Sequence, residues 1–360
     1  MFEDEEEETN SAEGEAENEQ QADEEGEEAE EREGEEEEEA KVEEEEEEFP
    51  ANPLTEEMMP ECISLLCKIG SGLAHAYVKL DCKGRELTNI ELLQRYVHLR
   101  YVDLSNNHIK DISPLSNLTE LLTLKCENNA LASGELAQLP YLQYLNLNNN
   151  KISSFQGINH PLLEHLSLNF NRVKYIEGVD PSIMNRLHTL ELRGNQLAST
   201  DGLHLPNLKN LFLAGNRIRQ VTGLGRMESL TTLHLRDNQI ETLDGFTDQM
   251  KNLQYLNMRG NGISSLRELN KLKCLPMLRA VVLSENPIAE DDEYRLEVLT
   301  VLRKVIRLDK DEYQDDEREE AEARYEQRRL EELNKEEMEE GKEEEDDATA
   351  EAAADEPVEE

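Results

Sequence analysis

Asparagines at positions 107, 129, 150, 171, 195, 216, 238, 261 and 286 recur at a spacing near 22 residues, each inside the same apolar frame. The frame reads Leu-x-x-Leu-x-Leu-x-x-Asn-x-Leu/Ile, as in Leu99, Val102, Leu104, Asn107 and Ile109, and again in Leu230, Leu233, Leu235, Asn238 and Ile240. A unit this short cannot bury an apolar face alone, so its copies must stack and share one continuous core. Tyr77, Leu80, Cys82 and Leu87 hold the same register one unit earlier, with Arg85 in the Asn place, as expected of an atypical terminal unit.

Within Leu-x-Leu the side chains alternate, so the leucines face inward from a short strand and the intervening residues face out. The Asn falls where the chain leaves the strand, and its amide can pair with backbone groups that the bend would leave unsatisfied. Apolar residues then continue at three-residue steps, as in Ile109, Ile112, Leu115 and Leu118 or Ile218, Val221 and Leu224, which suits 3₁₀-like turns on the outer side. Strands on one side and narrow connections on the other predict a gently curved α/β leucine-rich-repeat solenoid, its parallel sheet on the concave face.

Charge divides the chain. Of 360 residues, 1–48 hold 29 acids and 2 bases and 309–360 hold 26 acids and 7 bases, whereas 49–308 hold 28 of each. The first segment has too little apolar surface to offset its ordering entropy and is expected to be a disordered acidic tail. The remaining expectations are an N-terminal helical cap over 49–76, a repeat domain with a C-terminal cap over 77–308, a charged helical arm over 309–342 and a second disordered acidic tail over 343–360. In the first cap, Pro60 to Ile69 reads as a short amphipathic helix with Ile63, Leu66 and Cys67 on one face and Gly70 as its stop. In the arm, Glu320 to Arg324 and Glu331 to Lys335 stand at helical i, i+4 spacing, and its sparse apolar residues read as a solvated arm.

No apolar run reaches the length of a membrane span and the N-terminus is acidic, so a soluble intracellular protein is expected. Cys62, Cys67, Cys82, Cys126 and Cys274 are odd in number and unpaired in spacing, which suits a reducing compartment and neither a disulfide framework nor a zinc site. Direct duplex binding is disfavoured by the net charge of −46. Gly70-Ser71-Gly72 meets His75 where a dinucleotide fingerprint needs glycine, Glu290 to Glu293 lacks the spaced ligands of a calcium loop, and His160-x4-His165 lacks a metalloprotease helix. The expectation is a chain that is not an enzyme and uses no cofactor, metal, membrane or small-molecule substrate.

Binding then falls to the outward residues, at six, four and two positions before each Asn. These rows include Tyr101, Tyr144 and Tyr255; Phe212 and His234; and Arg193, Arg236 and Arg259. Aromatics and arginine are the usual anchors of protein interfaces, so the concave face is the candidate protein-binding surface. Its basic residues gather toward the C-terminal half, while Asp81, Asp103 and Glu127 lie toward the other end.

The stretches Pro53-Leu54-Thr55-Glu56-Glu57-Met58-Met59, Leu65-Leu66-Cys67-Lys68 and Gly72 to Leu80, with Leu190 to Leu197 and Leu233 to Ile240, make the chain similar to the leucine-rich repeat-containing protein 23 family over about Phe49 to Asp309. The resemblance implies a radial spoke component of the axoneme in motile cilia and sperm flagella, a scaffold that binds other spoke proteins and supports motility. Microtubule surfaces are acidic, so polyanionic tails direct such a scaffold toward other proteins and away from tubulin. Two alternatives share single features: a nuclear acidic histone-binding leucine-rich-repeat protein, through its polyacidic tail, and a phosphatase regulatory subunit, through its 22-residue repeat style.

Overall fold

The computed structural model describes residues 49–70 and 72–354, with side chains described as far as Lys335. The expected disorder of 1–48, like the last six residues, lies outside the described residues. From Ala51 onward the chain is one compact unit.

One 13-stranded sheet runs through it, with the strands in sequence order. The strands are β1 (Ile63–Ile69), β2 (Ala74–Asp81), β3 (Tyr101–Asp103), β4 (Thr123–Lys125), β5 (Tyr144–Asn146), β6 (His165–Ser167) and β7 (Thr189–Glu191). They continue as β8 (Asn210–Phe212), β9 (Thr232–His234), β10 (Tyr255–Asn257), β11 (Ala280–Val282), β12 (Arg307–Leu308) and β13 (Asp311–Glu312). Every neighbour from β2 to β12 is parallel, and both ends turn back as antiparallel pairs. The register puts Leu124, Leu145, Leu166, Leu190, Leu211, Leu233 and Leu256 directly opposite one another, each fully buried. Identical branched side chains at identical heights can pack layer upon layer, which is why strands of three residues suffice.

Each strand ends at a bend that needs one left-handed residue, immediately before each of the nine asparagines: Asn106, Asn128, Asn149, Phe170, Gly194, Gly215, Asp237, Gly260 and Glu285. Gly, Asn and Asp tolerate that conformation best. On the outer side, 3₁₀ turns form at Glu91–Arg95, Ser113–Asn117, Leu224–Arg226, Leu266–Cys274 and Pro287–Glu290. Their apolar residues at three-residue steps, such as Ile109, Ile112, Leu115 and Leu118, all join the core.

The N-terminal end departs from the expected helical cap. Helix α1 is only Met59–Cys62, and Ile63 to Ile69 is a strand paired antiparallel with β2, from Ile63 opposite Leu80 to Ile69 opposite Ala74. Ile63, Cys67 and Ile69 are partly covered and their neighbours exposed, a period of two. The spacing Ile63, Leu66, Cys67 fits a helix, but Ile63, Cys67 and Ile69 fit a strand equally well. The open edge of β2 supplies backbone partners that decide between them. Gly70 and Gly72, both at positive φ, form the hairpin turn that the helical reading took as a stop. The sheet therefore begins well before residue 77.

At the other end, helix α2 (Tyr294–Val301) covers the last leucine layer and helix α3 runs without a break from Asp315 to Ala354. This corrects two expectations, since residues 343–354 are helical and the first part of the arm is docked. Ala321 is buried against α2, with Tyr325 beneath Arg303 at 4.3 Å. Among the described residues, five ion pairs cross between α3 and the cap region: Arg295 with Glu317, Arg303 with Glu322, Arg324 with both Glu293 and Glu297, and Arg328 with Glu297. Arg324 thus turns to the cap, and Glu331 accepts a hydrogen bond from Gln327 at 2.9 Å. Tertiary carboxylates compete with the local helical pairs that the spacing suggested.

Candidate protein-binding face

The asparagine ladder makes this face rigid. The Asn150 side chain accepts a hydrogen bond from the Leu131 N–H of the preceding repeat at 3.1 Å and donates to the carbonyls of Cys126 and Leu147 at 2.9 and 3.0 Å. Asn107 differs only in accepting from both Arg85 and Leu87, at 3.1 and 3.0 Å. Asn129, Asn171, Asn195, Asn216, Asn238, Asn261 and Asn286 repeat the Asn150 arrangement, each accepting from one N–H of the repeat before. Three bonds from one short amide thus tie two successive turns together.

On that frame the solvent-facing rows gather into two clusters. Tyr144 stacks on His165, with ring centroids 4.7 Å apart, and His165 Nε2 lies 3.4 Å from Glu191. Glu191 also takes hydrogen bonds from Ser167 and Asn169, at 2.8 and 2.6 Å. Further along, Phe212, His234 and Tyr255 form a continuous ring series at 4.8 and 5.1 Å, with the Arg307 guanidinium 6.0 Å from the Tyr255 ring. All the rings are half-buried, so they offer flat apolar faces and polar edges to solvent together. Tyr101 belongs to neither cluster. Thr123 separates it from Tyr144, and it borders a groove near the N-terminal end instead.

The arginines are less free than the sequence suggests. Arg259 is paired with Glu285, and Arg236 lies 2.8 Å from Asp237. Arg193 sits 5.5 Å over the ring of Phe170. Burial pushes His165 and His234 below the usual histidine range, with Glu191 opposing the shift at His165. At neutral pH His234 thus adds a ring to this face and no charge.

Four contributors escaped the sequence reading. His165 and Glu191 were legible, since they sit six and four places before Asn171 and Asn195. Phe170 was less so, because it occupies the bend position where a bulky residue is unusual, and a Cβ on Gly194 would strike its ring. Arg307 was not legible at all. It reaches Tyr255 from β12, in the cap, outside the repeat spacing.

A stack of short parallel strands, tied by buried asparagines and presenting rings and arginines, defines a leucine-rich-repeat protein, a fold whose members typically act as protein-interaction scaffolds. Family models for leucine-rich repeats match residues 177–337 and 97–136. The chain belongs to the leucine-rich repeat-containing protein 23 family: it is 51% identical over 272 residues to the protein of that name from Bos taurus, covering 76% of this chain and 80% of that one. The human protein is 50% identical over 275 residues, with the same coverage, and that of Xenopus tropicalis 51% over 273. Among solved structures, a TLR13–ssRNA13 complex superposes with a TM-score of 0.50 at 24% identity, over 63% of this chain and 38% of that one. An internalin from Listeria monocytogenes gives 0.48 at 24%, over 63% and 72%. The first of these likenesses speaks to the fold alone.

Proposed function

We propose that the chain is a structural adaptor of the motile axoneme, a radial spoke component that binds other spoke proteins and catalyses nothing. Membership of the leucine-rich repeat-containing protein 23 family supports this reading, and the observation that carries the binding mode is the Phe212–His234–Tyr255 series with its arginine border. Rings held at fixed spacing lose little freedom on docking, so a rigid face of this kind suits a permanent assembly. The net charge of −46 disfavours direct contact with acidic tubulin, so its neighbours are other axonemal proteins.

Fractionation of motile cilia tests it. The protein stays with the washed axoneme through mild detergent and moderate salt, and cross-linking there joins the neighbourhood of Arg236 or Lys251 to spoke proteins. Complete release by detergent alone, or cross-links confined to histones or a phosphatase, removes the proposal.

A further inference from the structure

The two edges of the sheet are finished differently. At the C-terminal edge β13 is only two residues, the exposed carboxylates Asp311 and Glu312, and α2 and α3 follow beside it. A short, charged terminal strand is how sheets discourage further pairing. At the N-terminal edge β1 is seven residues, Ile-Ser-Leu-Leu-Cys-Lys-Ile, with one charge among them. Its inner edge pairs with β2, and among the described residues no strand pairs with its outer edge. Leu65 and Leu66 are 52% and 57% exposed, and Tyr77, directly across from Leu66, is 48% exposed.

Leu65 adds a second, independent observation. Its φ is 61°, a left-handed conformation that crowds a β-carbon against the backbone and is costly for a leucine. Regular alternation would turn its side chain to the same side as Ile63 and Cys67. The left-handed backbone brings it to a groove of about 360 Å³ lined also by Lys79, Asp81, Tyr101 and Thr123. Leu65 lies outside the repeat bends that account for the other strained positions before the ladder asparagines, and strain that exposes a leucine without serving a bend clusters at binding sites.

We propose that β1 is a docking edge for strand addition, taking an extended segment of a partner protein whose apolar residues alternate and whose flanks are lysine or arginine. Main-chain hydrogen bonds to the outer edge of β1 hold the segment, while Leu65, Leu66 and Tyr77 receive its alternate side chains. Charge selects this occupant over a second copy. Two copies of a chain with a net charge of −46 repel one another, whereas a basic-flanked strand is drawn to it. The inference does not rest on the solvent-face reading, since it uses none of the Phe212, His234 and Tyr255 cluster.

Hydrogen exchange on the full chain tests it, with nine-residue peptides of alternating valine and threonine flanked by lysine pairs or by glutamate pairs as probes. The lysine-flanked peptide slows exchange across Ile63–Ile69, the glutamate-flanked one does so less, and added salt narrows the difference. Leu66→Lys weakens the peptide by about tenfold or more, because a lysine on an edge strand opposes pairing. Leu65→Gly relieves the left-handed strain, so it weakens the peptide while the thermal midpoint holds or rises. Phe212→Ala leaves peptide binding unchanged. The proposal is overturned if neither peptide protects β1, if Leu66→Lys binds as well as the wild type, or if all β1 amides are already protected in the monomer. It is equally overturned if sedimentation reveals a dimer that Leu66→Lys disperses, since the occupant is then a second copy.

Discussion

Asn150 and Asn129 hold equivalent places in successive repeats and make the same kinds of bond, yet Asn150 is only 7% exposed and Asn129 is half-buried. Removing a side chain leaves backbone partners orphaned, and the cost depends on whether water can reach them. Asn150→Ala should therefore lower stability by about 1–3 kcal/mol, and Asn129→Ala by visibly less, both read from urea midpoints. His160 is a different case. It stands where other repeats place Leu118, Leu205 or Met227 in the core, and its Nδ1 accepts the Leu139 N–H at 3.2 Å. Burial pushes its pKa down to about 4. The unfolded chain therefore takes up the proton first on acidification. Stability tied to His160 is complete above about pH 6.5 and is lost as pH falls through 4, a loss of roughly 2–3 kcal/mol. Thermal midpoints between pH 7 and pH 4 should fall less steeply in His160→Asn than in the wild type. Equal slopes would assign the acid sensitivity to the carboxylates.

Elements differ in how they are held. A repeat strand is fixed from both sides by its neighbours, whereas among the described side chains α3 is held through its first turns. Its anchor is Glu297 on α2, whose side chain is 11% exposed and takes two bonds from Arg328, at 2.7 and 2.9 Å, with Arg324 nearby. A nearly buried carboxylate with a bidentate arginine is costly to break, and the partial exposure of Arg328 discounts that cost. Glu297→Ala should therefore destabilise the docked arm by about 1–3 kcal/mol while the sheet stays intact. Hydrogen exchange reads this as faster exchange across 315–330 with no change in β5 to β9. Uniform acceleration would mean that the arm and the repeats unfold as one unit.

At the scale of the whole molecule, stacking places residues that are 20 or more apart in sequence side by side, which is how a surface this regular is made. The Phe212–His234–Tyr255 series spans β8 to β10 and therefore acts as one patch. Phe212→Ala combined with Tyr255→Ala should reduce recovery of the purified chain on stripped axonemes several-fold, in line with the loss of interface anchors, with little change in thermal midpoint. Undiminished recovery would move the binding site away from this face. The unequal sheet ends give the molecule a direction: the C-terminal end is closed by α2, β13 and α3, and the N-terminal end finishes on an apolar strand.

The amino-acid sequence alone determined the repeat, its register, the inward leucines and the asparagine ladder. Each of these follows from a local pattern that every copy restates, and the nine asparagines reinforce one another. What happens once, at an end, was decided by tertiary structure. Residues 63–69 satisfy both a helical and a strand period, and only the open backbone edge of β2 selects the strand. The arm's arginines could pair along their own helix, and only the carboxylates of the cap draw them across. Arg307 meets Tyr255 only because β12 adds to the sheet beside β11. Periodic information is local and survives in one dimension, whereas a competition between partners is settled only when the chain has brought them within reach.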